Sequence, residues 1–294
     1  MAEIYHIWEP ITDLPDDYLE LSDPAFVALE KDWFQARKLI RTELFESFRE
    51  NVSRKWAIET GQVEKLYALD DNLTKTMLEN GLDSVELPHQ NNGLGFMDTG
   101  QIIEDQYTVI NSLYREITMS PYLTENSIRG LHSLFTKNQD YALGIDAFGR
   151  RARLPLLKGD YKRWPNSPHA KDGMIHQYCP PEQVAVEMER LLLMHKDHVG
   201  SSVPVDVEAA WLHHRFIQIH PFQDGNGRVA RALASMEYIR SGFLPPVVTV
   251  ACQPEYLDAL DQANKGDLKA FVRHLSGLVK EKTLECVDFA KSAG

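Results

Sequence analysis

The most constraining feature of this chain is a twelve-residue stretch, from His220 to Arg231, that reads HPFQDGNGRVAR. Gly225 and Gly227 free the backbone to adopt dihedral angles closed to other residues, so consecutive amides can point toward one anion. The residues that follow predict a helix over 227–241, whose N-terminus adds the positive end of its dipole. The stretch therefore predicts an anion-binding loop that opens a helix.

Charged side chains in the same stretch extend this prediction to a polyphosphate site. Arg228 and Arg231 are three residues apart and share one helical face, where two guanidinium groups can hold phosphate oxygens. Asp224 offers the hard oxygen ligand that suits the Mg²⁺ accompanying a nucleoside triphosphate. The ordinary pKa of histidine lies near neutrality, so His220 can accept a proton from an incoming hydroxyl group. Each residue alone has a simpler explanation as a helix cap, a turn or a solvated face, but their joint occurrence is rare by chance.

The whole stretch resembles the signature of the Fic family, His-x-Phe-x-Asp/Glu-Gly-Asn-Gly-Arg-x-x-Arg, at every specified position. Fic proteins typically transfer the AMP part of ATP to a protein hydroxyl group. The resemblance implies an all-α Fic fold, a helical bundle with a small β-hairpin flap over the active site. It also implies ATP and Mg²⁺ as cofactors, with these roles: His220 as general base, Asp224 as metal ligand, Gly225, Asn226 and Gly227 as the anion hole, and Arg228 and Arg231 as ligands of the β- and γ-phosphates. Phe222 is expected to anchor the loop in the core.

A second resemblance to the family lies ahead of the signature. Gly159–Arg163 (GDYKR) and Ile175–Glu182 (IHQYCPPE) resemble the strand-turn-strand flap that covers the active site and pairs with the extended backbone of the target. Such a flap would bind by strand addition, in which main-chain hydrogen bonds give register with little demand on sequence. The alternative is an ordinary surface excursion. The resemblance places Tyr178 near the adenine, and a buried tyrosine at the edge of the flap is the alternative.

A third stretch, Tyr256–Asp267, also resembles a family segment, in which a tyrosine and an asparagine lie near the adenine and ribose. Tyr256 and Asn264 are about two helical turns apart and so share one face. The resemblance implies that both contact the nucleotide. Asn264 could equally cap a helix next to Gly266.

A regulatory element is indicated toward the N-terminus. Many Fic proteins carry an inhibitory helix with the pattern Ser/Thr-x-x-x-Glu-Gly/Asn, whose glutamate pairs with the second signature arginine and disturbs triphosphate binding. Residues 60–65, TGQVEK, resemble the first five positions, and Lys65 departs from the sixth. The resemblance implies that Thr60 and Glu64 are regulatory and that Glu64 pairs with Arg231. The alternative for Glu64 is a solvated position on a helix.

Apolar spacing predicts a mostly helical chain. One amphipathic helix is predicted over 27–52, whereas residues 81–100 and 137–180 are predicted to be the least helical. Further helices are predicted at 100–117, 124–136, 181–198, 205–219, 254–263 and 267–291. We expect three parts: a helical N-terminal region with the inhibitory helix (1–120), a Fic domain (121–280) and the end of a C-terminal helix (281–294).

Composition narrows the class of protein. With 43% hydrophobic and 25% charged residues, the 294-residue chain is typical of globular proteins. Its net charge of −12 argues against a nucleic-acid partner, whose phosphates would be repelled. Three widely spaced cysteines fit a reducing compartment, and neither a leader-like N-terminus nor an apolar run of about 18 residues occurs. We therefore expect a cytoplasmic protein without a membrane partner.

Isolated histidines and tryptophans are assigned structural roles. His213 and His214 lack an acid at metal-ligand spacing, and we expect one to lie on a helix surface and the other at the edge of the core. His132 and His195 stand outside any motif. The tryptophans are expected to serve packing: Trp33, Trp56, Trp164 and Trp211.

The sequence thus predicts an autoinhibited protein adenylyltransferase that moves AMP from Mg-ATP to a Ser, Thr or Tyr hydroxyl of a target protein or of this chain itself. A homodimer is left open. The alternatives are removal of AMP with Glu64 positioning a water, another Fic-type transfer (phosphorylation or phosphocholination), and a catalytically silent nucleotide-binding scaffold. Gly227 favours AMP transfer because the related kinases depart from the signature at that glycine. The intact His220 argues against a silent scaffold.

Overall fold

Helices dominate the computed structural model, which describes residues 4–85, 87, 90–91, 96–120, 122–145, 150–166 and 175–293. Ten α-helices lie in these residues: α1 (Pro24–Leu39), α2 (Thr42–Val63), α3 (Asp71–Asn80), α4 (Thr99–Met119), α5 (Glu125–Phe135), α6 (Val184–Ser201), α7 (Val205–Ile219), α8 (Asn226–Arg240), α9 (Gln253–Asn264) and α10 (Leu268–Ser292). The predicted all-α class is confirmed. From α4 onward, the predicted ends differ from the observed ones by at most three residues.

The N-terminal region differs from the prediction in two places. The helix predicted over 27–52 is two helices, because Ile40 and Arg41 adopt extended ψ angles of 125° and 140° between α1 and α2. Neither a glycine nor a proline marks this break. The short helix α3 was not predicted; the carboxylate of Asp70 caps it by accepting from the amide of Leu73 at 2.9 Å, and Gly81 ends it.

The core is centred on α7 and α8, which pack on each other and on α4 and α10. Trp33, Trp56 and Trp211 are buried as predicted, whereas Trp164 is half-exposed. Burial of a large apolar side chain contributes about 1.5–3 kcal/mol. The indole of Trp56 on α2 also donates to Ser235 Oγ on α8 at 3.1 Å. The N-terminal helices and the signature helix therefore share one core.

A smaller apolar cluster fixes the chain that follows α2. It joins α2, α3 and α4 through Ala57, Ile58, Leu66, Tyr67, Met77, Ile102 and Ile103. The hydroxyl of Tyr67 donates to Ile58 O at 2.9 Å, and its ring lies so close to Gly61 that a Cβ there would collide with it. This cluster holds the turn that carries Glu64 against the rest of the molecule.

Three short strand pairs complete the described structure. Strands β4 (Tyr141–Ile145) and β5 (Arg151–Pro155) form an antiparallel hairpin. Strand β1 (Ile4–His6) pairs in parallel with β6 (Ile175–His176), and β2 (Gln90–Asn91) pairs with β3 (Phe96–Met97).

The hairpin lies upstream of the segment in which a flap was expected. The described residues 156–166 form turns and bends, and β6 pairs with the N-terminus of the chain instead of with a neighbouring flap strand. Residues 167–174, the middle of the predicted flap, lie outside the described residues. The small hairpin of the fold is therefore formed by β4 and β5, which lie in the segment predicted only to be among the least helical of the chain.

Within the described ranges, no helix combines the length and the apolar character that a bilayer crossing requires.

Candidate active site

His220 lies at the C-terminal cap of α7, where its backbone adopts a left-handed conformation with φ of 51°. Such angles are uncommon for residues other than glycine and occur often at functional sites. Its Nδ1 lies 3.3 Å from the carbonyl oxygen of Ile217. Because a carbonyl can only accept, Nδ1 carries the hydrogen and Nε2 is left as the acceptor.

The surroundings of His220 keep its imidazole neutral. The ring stacks on Tyr178, with centroids 3.7 Å apart and an interplanar angle of 5°. Burial is the main cause that lowers the pKa of His220 well below its ordinary value, and the nearby charge of Lys162 and the His176 ring act in the same direction. A neutral imidazole with a free Nε2 is the form that can accept a proton.

The loop after His220 is held by its own side chains. Asn226, which is buried, accepts from the amide of Phe222 at 2.9 Å and donates to its carbonyl at 2.7 Å. Phe222 is fully buried, as expected, and stacks on His132 with ring centroids 3.8 Å apart. The side chain of Asn226 is therefore used within the loop, and only its main-chain amide is left for a ligand.

Main-chain amides at the start of α8 are arranged so that they could bind an anion. Gly225 caps the helix with φ of 80°, a conformation that glycine tolerates best. Its own amide donates to Asp224 Oδ1 at 2.6 Å. Asn226 and Gly227 occupy the first turn, where the helix supplies no carbonyl acceptors to their amides. Two amides and the positive end of the helix dipole thus face an incoming anion.

Asp224 is oriented from two sides. Its Oδ2 accepts from Gln139 Nε2 at 2.5 Å, and its carbonyl accepts from His132 Nε2 at 3.0 Å. Its side chain remains one-third exposed. Among the described residues, no three His, Cys, Asp or Glu side chains are grouped as metal ligands. A single partly exposed carboxylate fits Mg²⁺, which is commonly bound through one or two carboxylates and the phosphates of a nucleotide.

Arg228 is held on the side of α5. It is buried and donates from Nη1 to Phe135 O at 3.1 Å and from Nη2 to Gln139 Oε1 at 2.8 Å. Nη2 also lies 4.0 Å from Asp224 Oδ1. The close acceptors of this guanidinium are thus neutral oxygens, and Gln139 contacts both Arg228 and Asp224.

Arg231 is held on the opposite side, by α2. Its Nε donates to Thr60 Oγ1 at 2.9 Å, and Nη2 donates to Thr60 O at 3.1 Å and to Glu64 Oε1 at 2.7 Å. The carboxylate of Glu64 also lies against Gly227, where an added Cβ would collide with Oε1. A negative charge therefore lies directly on the turn whose amides would bind phosphate.

After Glu64 the backbone turns in a conformation that favours Gly or Asn. Lys65 has φ of 57°, in the left-handed region that Gly and Asn adopt most readily. The inhibitory pattern carries Gly or Asn there. The departure at Lys65 thus leaves the turn in place, with a strained residue within it.

Two predicted nucleotide ligands lie in a buried histidine network. The hydroxyl of Tyr256 lies 2.9 Å from His213 Nε2, and Asn264 Oδ1 lies 2.9 Å from His214 Nε2. Both histidines are fully buried, so the prediction that one lies on a helix surface is wrong. Asn264 is the last residue of α9, and Lys265 is the cap. A nucleotide role for Tyr256, Asn264 or Tyr178 stays a prediction.

Three residues of the site were missed by sequence reasoning: His132, Gln139 and Lys162. Burial lowers the pKa of His132 to about 4, and its Nδ1 accepts from the amide of Gly159 at 2.9 Å. These residues come from α5 and the segments after it, far from the signature in sequence. No spacing pattern in the sequence connects these three residues to the signature.

The chain is similar to known proteins in sequence. Residues 122–237 match the profile of the Fic/DOC family. The protein adenylyltransferase fic-1 of Caenorhabditis elegans is 36% identical over 96 residues, which cover 33% of this chain and 19% of that protein. The protein adenylyltransferase Fic of Drosophila persimilis is 35% identical over 113 residues, covering 38% and 22% respectively. The chain thus spans about a fifth of the length of these curated relatives.

Solved structures show the same fold. A Fic domain containing signaling protein from Bacteroides thetaiotaomicron superposes with a TM-score of 0.72 at 23% identity, covering 90% of this chain and 97% of that one. A fragment of C. elegans Fic-1 gives 0.60 at 20% identity, covering 92% and 72%. Residues 122–237, which include the signature, are therefore a Fic domain of the Fic/DOC family, and the solved structures share the helical fold of most of the chain.

Proposed function

We propose that this protein transfers AMP from Mg-ATP to the hydroxyl group of a Ser, Thr or Tyr residue in a protein. The observation that supports this most is the neutral imidazole of His220, with Nε2 unprotonated, beside a helix N-terminus that offers free amides. The matched relatives are named protein adenylyltransferases. A base next to an anion-binding turn is what attack of a hydroxyl on a phosphate requires.

The reaction follows from this arrangement. His220 Nε2 accepts the proton of the target hydroxyl as its oxygen attacks the α-phosphorus in line with the bond to the β-phosphate. The new P–O bond forms, pyrophosphate leaves, and the amides of Asn226 and Gly227 stabilise the charge on the phosphate oxygens. When bound, Mg²⁺ would neutralise part of the triphosphate charge, and Asp224 would hold it.

Autoinhibition is the second part of the proposal. The γ-phosphate needs a cation to orient it, and the guanidinium of Arg231 already donates to Thr60 and Glu64. The Glu64 carboxylate also lies on Gly227 and would repel phosphate there. ATP then binds with its α-phosphate misdirected, so the resting protein is slow.

ATP labelled separately at the α- and γ-phosphates tests the transfer. Wild-type and Glu64→Gly proteins are incubated with a protein lysate and each labelled ATP. We expect label in protein only from the α position, more strongly in the Glu64→Gly variant. Label from the γ position would identify a kinase, and label from neither in the Glu64→Gly variant would contradict the proposal.

Removal of AMP is a second candidate, because the Glu64 carboxylate lies beside the turn that would hold the phosphate and could orient a water there. The self-modified Glu64→Gly protein provides a substrate of defined composition. If this activity exists, added wild-type protein releases AMP from it and Glu64→Gln does not. Equal release by both would exclude a hydrolytic role for Glu64.

A further inference from the structure

Lys162 touches the loop that carries His220, although it lies 58 residues before it. Its side chain is buried, at 4% exposure. Its main-chain N–H donates to the carbonyl of Pro221 at 2.8 Å, and its Nζ lies 3.4 Å from the carbonyl of Ile219. These two carbonyls flank His220, so one residue holds both sides of the catalytic histidine.

Asn166 links Lys162 to one more residue of the loop, Phe222. It accepts from Lys162 Nζ at 2.8 Å and donates from Nδ2 to the carbonyl of Phe222 at 2.7 Å. The segment 162–166 therefore fastens the loop at residues 219, 221 and 222. We call it the 162–166 clamp.

The clamp also carries a charge. Both acceptors of the Lys162 ammonium, Asn166 Oδ1 and Ile219 O, are neutral oxygens. Burial lowers the pKa of Lys162 to about 7, so the side chain is cationic in the acidic range where His220 would take up a proton. A buried cation opposes protonation of a nearby imidazole.

Other groups around the pair belong to the segment that contains β6. His176 acts on His220 in the same direction as Lys162, and Tyr178 stacks on the His220 ring. Cys179 lies near Lys162, and burial raises the pKa of its thiol to about 12, so the thiol is neutral. Lys162 is thus the cation that faces the histidine in this set.

We propose that Lys162 is a positioning residue for His220: its amide and ammonium hold the two carbonyls that flank the histidine, and its positive charge keeps the imidazole neutral. This inference rests on the proposed AMP transfer for its effect on rate. Its effect on the imidazole is independent of any activity.

Titration of His220 by NMR tests the electrostatic part without a substrate. In protein with ¹³C-labelled histidine, the His220 signal is assigned by its loss in His220→Gln, and its midpoint is followed in the wild type, Lys162→Met and Lys162→Arg. We expect Lys162→Met to raise the midpoint by at least about 0.5 pH unit, because the opposing charge is gone. Lys162→Arg should keep it near the wild-type value. A midpoint unchanged in Lys162→Met would overturn the proposal.

The pH dependence of transfer tests the consequence for catalysis, with Glu64→Gly as the parent. The pH at which kcat falls on the acidic side of the profile should be higher in Lys162→Met than in the parent. In Lys162→Arg it should be close to the value of the parent. Asn166→Leu loosens the clamp but keeps the charge, so it should lower kcat and leave that pH unchanged. A uniform fall of kcat in Lys162→Met without a change in that pH would mean that Lys162 is only structural. If the parent transfers no α-label, the proposed function fails, and the NMR titration still decides the role of Lys162.

Discussion

The two sides of the signature loop are built from different kinds of contact. On the α5 side, Phe135 and Gln139 hold Arg228 with neutral oxygens. On the α2 side, Glu64 holds Arg231 with a carboxylate at 2.7 Å. The Asp224 carboxylate lies farther from Arg228, at 4.0 Å, and leaves more of its charge to a phosphate, whereas the close Glu64 carboxylate neutralises Arg231.

We therefore expect the two sides to have different roles: the α5 side orients the groups that would bind ATP, and the α2 side regulates that binding. Contacts of the α5 side also orient Asp224, and ATP has no need to displace them. Under the proposed autoinhibition, the Glu64 carboxylate on the α2 side lies where a phosphate would bind and has to be released. Damage to the α5 side should therefore lower activity, whereas damage to the α2 side should raise it.

The largest effect is expected between the two sides, at His220. In the Glu64→Gly background, His220→Ala should reduce transfer by about 10²–10⁴-fold, the usual contribution of a general base. ATP affinity should stay nearly constant because the base acts on the incoming hydroxyl. Calorimetry of ATP binding checks this. A parallel loss of affinity would show that His220 mainly supports the loop.

The α5 side is tested at Gln139. Gln139→Leu removes the acceptor of Arg228 and the donor to Asp224, so we expect transfer to fall about 10–100-fold, as for residues that orient a metal ligand. Gln139→Glu is the matched variant: it keeps the acceptor for Arg228 and replaces the donor to Asp224 with a repelling charge. If the Asp224 contact is the important one, Gln139→Glu is as slow as Gln139→Leu and needs more Mg²⁺. Wild-type rates in both variants would show that Gln139 does not contribute to transfer.

The sequence predicts the parts of this site that are contiguous in the chain. The signature loop and the first turns of the helix after it lie within twelve residues, so local spacing predicts their arrangement. The Glu64–Arg231 contact crosses 167 residues and was predicted only through resemblance to the family. Gln139 was missed because its contacts, 85 and 89 residues away, leave no trace in local spacing.

The same limit applies to the fold. Helices with a clear apolar face were predicted well, since that periodicity is local. The break at Ile40 and Arg41 depends on how α1 and α2 pack around the core, and no breaking residue marks it. The burial of His213 depends on Tyr256, whose hydroxyl lies at its Nε2. Such pairings are settled by tertiary packing.

The α2 side is tested by Glu64→Gly, which should raise self-labelling from α-labelled ATP at least about tenfold, equivalent to roughly 1.4 kcal/mol. The melting temperature should fall modestly, because one charge-assisted contact is lost. Glu64→Gln keeps an acceptor for Arg231 without the charge and should give an intermediate rate. Glu79→Gly, at an exposed acid on α3, is the control and should leave the rate unchanged.

Two results would contradict this reading of the α2 side. One is an unchanged rate in Glu64→Gly together with loss of activity in Arg231→Ala, which would mean that the contact does not limit the enzyme. The other is an equal gain in Glu79→Gly, which would mean that general loosening of the N-terminal helices accounts for the effect.

The smallest expected effect concerns the turn that presents Glu64. A non-glycine residue in the left-handed region costs about 1–2 kcal/mol, and Lys65 has φ of 57°. Glycine removes that strain but loses about 0.5–1 kcal/mol through its greater freedom in the unfolded chain. Lys65→Ala is the matched control, because it keeps the strain and loses the same side chain. Lys65→Gly should therefore exceed Lys65→Ala in free energy of unfolding by about 0.5–1 kcal/mol.

Because a relaxed turn presents the Glu64 carboxylate to Arg231 more often, Lys65→Gly should also label itself more slowly than Lys65→Ala. Denaturant unfolding and α-label incorporation measure the two quantities, and equal stability of the two variants would show that this turn stores no strain.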